Sequence, residues 1–283
     1  MFRQQTAPRW AALRKELGQR TIVMGVINVT SDSFSGDGLG EDSRAALEQG
    51  RRFLREGAEI LDVGGESTRP GHQPVAAELE LQRVLPVIER LVGELGALVS
   101  IDTRKSQVAD AAIRMGAEIV NDVTGLRSDP AIARVAADAG VGIVLQHWHP
   151  RSYEDTLRWI TSDLEWSVRL ALETGVAPEN IVTDPGLGFG KEHHESLELI
   201  RRLAEMKAVL PYPILVGPSR KRFVGAALGD MPMDQRVEGT IGAAIVALVH
   251  GADIIRVHDV SAVARAVRVA DAILLPGRAT VPT

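Results

Sequence analysis

Residues 21–28 read TIVMGVIN, a continuous apolar run with β-branched side chains that ends in the polar side chain of Asn28. Such a run is typical of a strand in a parallel sheet, where both faces of the strand are buried. A glycine-rich loop at 35–40 and a helical pattern over 43–56 follow it. This part of the chain therefore predicts a strand, a loop and a helix, with a polar side chain at the carboxyl end of the strand.

The same alternation recurs along the chain. Further apolar runs occupy 60–63, 98–101, 119–120, 141–145, 181–182, 214–216 and 254–255. Helical patterns follow them at 78–91, 106–114, 130–139, 153–174, 196–209, 235–248 and 260–272. Strands that alternate with helices indicate βαβ units and a parallel sheet. Eight such units predict an α/β fold, a single-domain (β/α)8 TIM barrel over 21–275.

Two regions flank the predicted barrel. We expect an N-terminal extension at 1–20, with a short basic helix over 11–17, and a C-terminal tail at 276–283. An open, doubly wound sheet is the alternative architecture. It is less favoured because no G-x-G-x-x-G motif follows the first strand.

Composition excludes several classes of protein. At 283 residues the chain is of ordinary length for a barrel, and its net charge of −5 argues against a nucleic-acid partner. The absence of cysteine excludes disulfides, thiolate metal sites and a cysteine nucleophile, and is compatible with a reducing cytosol. The longest apolar stretch, 241–255, is interrupted by His250 and Asp253, so we expect no membrane span.

The apolar runs end in polar side chains, and the carboxyl ends of barrel strands carry the active site in this fold. The endings are Asn28, Asp62, Asp102, Asn121, Gln146-His147, Asp184, Ser219-Arg220-Lys221 and Arg256-Val257-His258. Asp102, Asn121 and Asp184 together could accept hydrogen bonds from the amino and ring N–H groups of a heterocycle. Either aspartate could instead only cap the helix that follows it.

An anion site is expected at the seventh and eighth strands. Residues 217–222 place three cations and a hydroxyl group where barrels often bind phosphate. Arg256 and His258 are two residues apart in an extended segment, so both can face one ligand. The amide oxygen of Asn28 could be a ligand of Mg2+, or Asn28 could simply form a turn.

Three loops are harder to interpret. Residues 64–71, GGESTRPG, offer free backbone N–H groups and the planar fork of Arg69 to a carboxylate or phosphate. Residues 184–191, DPGLGFGK, lack the spacing of a Walker A motif and are expected to place Asp184 and pack Phe189. His147 and His149 could bind zinc, although a surface or ligand-stacking role is favoured.

Taken together, these motifs resemble those of dihydropteroate synthase, a transferase family of folate biosynthesis. The matching stretches are 24–35, 62–71, 101–103, 121–122, 184–191, 219–221 and 256–259, in order along nearly the whole chain. The resemblance implies a cytoplasmic (β/α)8 barrel that is usually a homodimer. It also implies that p-aminobenzoate is condensed with 6-hydroxymethyl-7,8-dihydropterin pyrophosphate in the presence of Mg2+, releasing pyrophosphate.

The resemblance also implies which residues act. The pterin would be held by Asp102, Asn121, Asp184 and Lys221. The p-aminobenzoate pocket, where sulfonamides bind, would be shaped by Thr68, Arg69 and Ser219. The pyrophosphate would be held by Asn28, Arg256 and His258, with Asn28 as the metal ligand. Arg256, His258 and Lys221 would be the catalytic residues, and catalysis would be largely electrostatic because the aniline nitrogen is already a nucleophile.

The chain departs from the family pattern in two places. Ser31 replaces a proline of the first loop, and the acid at Asp37 comes one place late. After the fifth strand, 146–148 read QHW where the family usually has Met-His-Met. Two alternative functions stay open at this point: a catalytically silent pterin-binding paralogue, and a methyltransferase that passes a methyl group from methyltetrahydrofolate to a corrinoid.

Overall fold

The computed structural model describes residues 7–29, 39–67, 73–148 and 155–275. Its eight parallel strands form one sheet in the order β6-β5-β4-β3-β2-β1-β8-β7. They are β1 (Ile22–Asn28), β2 (Ile60–Gly64), β3 (Val99–Asp102), β4 (Ile119–Asp122), β5 (Gly142–Gln146), β6 (Ile181–Asp184), β7 (Leu215–Val216) and β8 (Ile254–Val257).

The two edge strands of this sheet meet and close it into a cylinder. Thr183 of β6 pairs with Ile214 in a parallel bridge, and the N–H of Thr183 donates to the carbonyl of Pro213 at 2.9 Å. The predicted (β/α)8 TIM barrel is thereby confirmed, and the open doubly wound alternative is wrong.

The helices surround the barrel. The described residues form α1 (Pro8–Leu13), α2 (Leu39–Glu56), α3 (Ala77–Leu95), α4 (Ser106–Arg114), α5 (Ala131–Ala139), α6 (Thr156–Thr174), α7 (His193–Arg201), α8 (Leu203–Val209), α9 (Arg222–Ala227), α10 (Val237–Val249) and α11 (Val260–Leu274). The helices differ from the predicted ones in some details. The helix predicted over 196–209 is two helices, because the backbone of Arg202 departs from helical geometry. The short helix α9 was not predicted.

Helix α1 covers the barrel at the amino ends of the strands. The ring of Trp10 is buried against Gly142 at the start of β5, where a side chain would approach the indole to 2.7 Å. Glu118 accepts the backbone N–H groups of Arg9 and Trp10 at 2.9 and 3.0 Å. These contacts explain why the helix begins at Pro8, earlier than predicted, and they leave the opposite end of the barrel available for a ligand.

A hydrophobic layer fills the space between strands and helices. All five residues of β2 are buried, as are the apolar side chains of α4 that face the sheet. Among the described residues, no helix combines the length and the apolar character that a membrane span requires.

Candidate active site

Strand register brings three predicted site residues together. Asn28, Gly64, Asp102 and Asn121 are successive partners across β1, β2, β3 and β4. Because Gly64 has no side chain, the amide oxygen of Asn28 and a carboxylate oxygen of Asp102 lie 3.8 and 3.7 Å from the point that a Cβ of Gly64 would occupy. The two side chains therefore share one side of the sheet at the carboxyl ends of the strands.

Arg256 joins this group from β8. Its Nε donates to Oδ2 of Asp62 at 2.6 Å, and its Nη2 donates to Oδ2 of Asp102 at 2.6 Å. The same oxygen of Asp62 accepts the side-chain amide of Asn121 at 3.0 Å. One partly buried guanidinium thus links carboxylates on β2 and β3, while the carboxylate of Asp62 links Arg256 to β4 through Asn121.

Two acceptors of this network have no partner among the described residues. They are Oδ1 of Asp62 and Oδ1 of Asn121, and both atoms are buried. A buried polar atom is costly unless it is hydrogen-bonded, so such atoms in a native protein indicate a bound water or a ligand. Here the unfilled atoms are oxygens, which require N–H or O–H donors.

Asp184 and Lys221 lie at the ends of β6 and β7. Oδ1 of Asp184, which is almost fully buried, accepts the N–H of Gly186 at 2.7 Å. This hydrogen bond closes a local turn, so Asp184 does not cap the helix that follows, which begins at His193. The ammonium of Lys221 is 3.7 Å from the centre of the Phe189 ring, within the range of a cation–π interaction. The loop 184–191 therefore places Asp184 and supports Lys221 through Phe189.

The seventh strand contributes one cation to this group rather than three. The guanidinium of Arg220 is paired with the carboxylate of Asp259 at 3.0 and 2.6 Å, and Arg222 is exposed at the start of α9. Ser219 lies beside His258: its hydroxyl accepts the backbone N–H of His258 at 3.1 Å and is 3.0 Å from Nδ1. Ser219 thus contacts the residue predicted to bind pyrophosphate.

Burial raises the pKa values of two carboxyl groups at the candidate site. It raises the pKa of Asp102 to about 7, against the opposing charge of Arg256. It raises the pKa of Asp184 to about 6, although the hydrogen bond from Gly186 acts in the other direction. Two carboxyl groups that titrate near neutral pH in one place are characteristic of a functional site.

Burial also lowers the pKa values of two basic groups. It lowers the pKa of Lys221 to about 8, helped by the charge of Arg256, and it lowers the pKa of His258 to about 3, again with Arg256 as the next contribution. Burial alone would lower the pKa of Arg256, but Asp62 and Asp102 raise it above its ordinary value. Arg256 is therefore a fixed cation, and His258 is neutral.

Sequence reasoning left two residues of this region without a role. Asp62 was recognised only as the end of a strand, yet it is fully buried and bonds both Arg256 and Asn121. The signal was a lone carboxylate inside the run ILDV at 60–63. Lys191 was noted only as the last residue of a glycine loop, yet its ammonium is buried and hydrogen-bonded.

Some predicted features lie outside the described residues. Thr68 and Arg69 are among them, as are Ser31, Asp37 and His149. The segment just before Thr68 is described: Glu66 pairs with Arg104 and Lys105. Residues 7–29, 39–67, 73–148 and 155–275 contain no group of three or more His, Cys, Asp or Glu side chains placed to hold a metal ion by themselves.

Comparison with known proteins agrees with this geometry. A family model described as "Pterin binding enzyme" matches residues 24–258. Dihydropteroate synthase of Bacillus subtilis (strain 168) is 46% identical over 260 residues, which is 92% of this chain and 90% of that protein. The crystal structure of dihydropteroate synthase from Clostridium difficile in the presence of pteroic acid has a TM-score of 0.88 at 42% identity, and the match covers 92% of this chain and 98% of that one. The enzyme from Xanthomonas albilineans with 4-aminobenzoic acid has a TM-score of 0.85 at 40% identity, covering 90% and 93%.

Proposed function

The chain belongs to the dihydropteroate synthase family of pterin-binding enzymes and is a transferase; from that premise we propose how its own residues perform the reaction. The substrates are p-aminobenzoate and 6-hydroxymethyl-7,8-dihydropterin pyrophosphate, and the products are 7,8-dihydropteroate and pyrophosphate. The observation that carries the proposal is the convergence of Asp102, Asn121, Asp184, Lys221 and Arg256 at one end of the barrel.

The pterin is proposed to bind against Asp102, Asn121 and Asp184. A reduced pterin carries an amino group and ring N–H groups, which are donors, and these three side chains supply oxygens that can accept from them. The unfilled Oδ1 atom of Asn121 supports this assignment. Lys221 lies close enough to Asp102 and Asp184 for their charges to oppose the lowering of its pKa by burial, and its ammonium is proposed to donate to an acceptor atom of the same ring.

The pyrophosphate is proposed to bind beside Arg256, His258 and Asn28. Arg256 uses Nε and Nη2 on Asp62 and Asp102, which leaves Nη1 without a hydrogen-bond partner among the residues that the structure describes. Its side chain is 18% exposed. A guanidinium that is held from one side and open on the other suits a phosphate oxygen.

Magnesium is proposed to accompany the pyrophosphate, with Asn28 as its protein ligand. The donor set fits this ion, because Mg2+ prefers oxygen ligands and is commonly held by substrate phosphates together with one or two protein groups. The amide oxygen of Asn28 lies near the carboxylate of Asp102 at the site's edge. When bound, the ion neutralises part of the charge that develops on the leaving pyrophosphate.

The reaction requires little general acid–base catalysis by the protein. The aniline nitrogen of p-aminobenzoate forms a bond to the methylene carbon of the pterin, the C–O bond to pyrophosphate breaks, and its electron pair stays on the departing oxygen. The nitrogen then loses a proton. Arg256 stabilises the leaving charge, and Asp102 and Asp184 orient the pterin and tolerate the positive charge that develops on it.

The p-aminobenzoate pocket is proposed to include Thr68, Arg69 and Ser219. Ser219 is the member of this set that the structure describes, and its contact with His258 at 3.0 Å supports a pocket next to the pyrophosphate site. Family membership also supports a cytoplasmic location, which we propose on that ground alone.

A homodimer is also proposed. Helices α10 and α11 pack against each other and expose several large apolar side chains to solvent. These are Val246 at 46%, Val249 at 56%, Val269 at 62% and Ile273 at 71% exposed. Exposed apolar side chains grouped on neighbouring helices are typical of an interface. Light scattering on the purified protein tests this, and a monomeric mass at micromolar concentration would contradict it.

The decisive experiment for the reaction is direct. Purified protein is mixed with Mg2+, the pterin pyrophosphate and p-aminobenzoate, and dihydropteroate is measured by chromatography. Product formation that depends on both substrates supports the proposal. Binding of the pterin pyrophosphate without product would instead indicate a silent pterin-binding paralogue.

A further inference from the structure

Lys191 has a buried ammonium between the end of β5 and the loop that follows β6. Its Nζ donates to the carbonyls of Gly186 at 2.9 Å, Phe189 at 3.1 Å and His147 at 3.4 Å. The same atom is 3.0 Å from Nδ1 of His147. A buried ammonium is expensive unless it is well hydrogen-bonded, and these four contacts supply what the charge requires.

The segments that Lys191 joins also contact each other. The N–H of His147 donates to the carbonyl of Asp184 at 2.9 Å. Gly186 has φ of +69°, and a Cβ there would lie 1.9 Å from the carbonyl oxygen of His147, so only glycine fits. The rings of Trp148 and Phe189 meet edge to face, with centroids 6.4 Å apart. Lys191 therefore adds hydrogen bonds between two segments that already pack closely against each other.

His147 is itself fixed on its other side. Its ring lies edge-on against Trp159 of α6, with centroids 4.4 Å apart, and its Nε2 is 3.3 Å from a carboxylate oxygen of Asp163 on the same helix. The contacts of Lys191 thus connect the loop after β6 to a helix of the outer ring. The position of the loop is thereby fixed relative to α6, which lies outside the site.

The loop that Lys191 holds carries part of the proposed site. It begins at Asp184, whose carboxylate accepts the N–H of Gly186, and it contains Phe189, whose ring lies under the ammonium of Lys221 at 3.7 Å. A shift of the Phe189 or Gly186 backbone would therefore move two proposed pterin ligands together. None of the contacts of Lys191 involves the side chains of Asp184 or Lys221 directly.

We propose that Lys191 is a positioning residue of this site: its ammonium holds the 184–190 loop against His147 and thereby sets Phe189 beneath Lys221. The inference rests on the proposed roles of Asp184 and Lys221 and deepens them. It also gives a role to the fifth strand ending, which the resemblance left unassigned.

The charge of Lys191 supports the same conclusion. Burial lowers its pKa to about 7, while the carboxylates of Asp184, Glu195 and Asp163 raise it and Lys221 lowers it further. A lysine with no other task would avoid this cost by reaching solvent. The positioning role of Lys191 is inferred from its hydrogen bonds, and the lowered pKa is consistent with them.

The test compares Lys191→Met with the wild-type enzyme. Methionine keeps the length of the side chain and removes the charge. We expect kcat/KM for the pterin pyrophosphate to fall about 10- to 100-fold, because a displacement of the order of 1 Å in a positioned group has effects of this size. Lys207→Met is the matched control, since Nζ of Lys207 bonds Asp253 and the carbonyl of Gly251 at 2.8 and 2.9 Å at the opposite end of the barrel. It should lose stability and keep its kinetics.

A double-mutant cycle separates positioning from general stability. If Lys191 acts in part through Lys221, the loss of kcat/KM in the pair Lys191→Met with Lys221→Met should be smaller than the sum of the two single losses. Additive losses, or kinetics of Lys191→Met that match those of Lys207→Met, would overturn the inference.

A second variant guards against a failure of Lys191→Met to fold. Phe189→Leu leaves the buried ammonium in place and removes the ring under Lys221, so it should reproduce the loss of kcat/KM. Unchanged kinetics in Phe189→Leu would overturn the inference by itself. Failure of the proposed function has a different signature: the wild-type protein makes no dihydropteroate, or Lys221→Met is as active as the wild type.

Discussion

The carboxylate of Asp62 and the guanidinium of Arg256 meet at 2.6 Å across the intervening strand β1. The carboxylate is fully buried, and the arginine side chain is 18% exposed. Asp62 also holds the amide of Asn121 at 3.0 Å. The interaction therefore orients one residue proposed to bind the pyrophosphate and one proposed to bind the pterin, although Asp62 itself belongs to neither set.

Replacing Asp62 by Asn tests this arrangement. The change keeps the size of the side chain and removes the charge, so that Arg256 loses one of the two carboxylates it is hydrogen-bonded to and keeps Asp102. We expect the free energy of unfolding to fall by about 2 kcal/mol, the range for one charged hydrogen bond, and affinity for the pterin pyrophosphate to fall with it. Urea unfolding and calorimetric titration measure the two effects.

The control for Asp62 is an ion pair on the surface. Asp138 and Arg134 pair at 2.9 Å, and both side chains are more than half exposed. Asp138→Asn should leave both quantities nearly unchanged, because exposed pairs contribute little. Equal effects of the two variants would contradict the role assigned to Asp62.

Replacing Arg256 by Ala should separate the two halves of the substrate. Loss of the guanidinium removes a cation from the proposed pyrophosphate site, and a charged hydrogen bond is equivalent to roughly 10- to 150-fold in affinity. We expect binding of pyrophosphate with Mg2+ to weaken far more than binding of the pterin without pyrophosphate. Calorimetric titration of each ligand measures this, and an equal loss of both would contradict the assignment.

Arg220→Ala is the companion variant for Arg256→Ala. Arg220 lies in the cationic stretch 219–222, but its guanidinium is engaged by Asp259 at 2.6 Å. Pyrophosphate affinity should therefore fall much less in Arg220→Ala than in Arg256→Ala. A comparable loss would show that the stretch acts as a group of cations, as the sequence alone suggested.

The barrel, and the location of most of the proposed site residues at strand ends, could be predicted because both depend on local pattern. A short apolar run followed by a polar residue marks a strand end in a parallel sheet wherever it occurs. Closed parallel strands bring such ends together, so Asp102, Asn121 and Asp184 could be grouped without coordinates. The break between α7 and α8 could not be predicted, because the apolar spacing continues through Arg202 while the backbone does not.

The partners of Asp62 and Lys191 could not be predicted because they are not local. Asp62 and Arg256 are 194 positions apart, and Lys191 and His147 are 44 apart. The sequence shows a carboxylate in a strand and a lysine after a glycine loop. Which groups they meet depends on the register of β2, β5, β6 and β8, and on how closely two loops approach. The same limit applied to Arg220, whose guanidinium pairs with Asp259, 39 positions away, instead of facing the proposed anion site.

The rate should have a narrow optimum in pH. Asp184 and Asp102, with pKa values raised by burial to about 6 and about 7, accept hydrogen bonds from the pterin more strongly when ionised, so kcat/KM should rise as the pH rises through these values. Burial lowers the pKa of Lys191 to about 7 and that of Lys221 to about 8. Both lysines lose their charge as the pH rises through these values, so kcat/KM should then fall. The pH dependence of kcat/KM reports such groups in the free enzyme.

Lys221→Arg identifies the alkaline limb of that profile. Arginine stays protonated throughout the accessible range, so the variant should be slower than the wild type but should lose the part of the decline near pH 8 that Lys221 causes. The part near pH 7 that Lys191 causes should remain. An alkaline limb that persists unchanged in Lys221→Arg would show that another group causes it.

Asp102 should also make the stability of the protein depend on pH. Burial raises its pKa from the ordinary value of 3.8 to about 7 in the folded state. Between these values the folded state binds more protons than the unfolded state, so stability falls as the pH rises. The contribution of Asp102 is fully present below 3.8 and is lost as the pH rises through about 7. The asparagine of Asp102→Asn cannot titrate, so the stability of the wild type relative to this variant should decline over the same window.

Chemical unfolding at a series of pH values measures this difference, and Asp129→Asn supplies a control of opposite sign. Partial burial would raise the pKa of Asp129, but hydrogen bonds from Ser106 and Ala131 lower it overall, so its contribution is present above pH 3.8 and is lost as the pH falls. Asp102→Asn should lose catalysis while gaining relative stability at alkaline pH, as expected where a site keeps a costly charge for its reaction. A stability difference between wild type and Asp102→Asn that stays constant from about pH 4 to 8 would mean that Asp102 is ionised throughout and that Arg256 and solvent fully offset its burial.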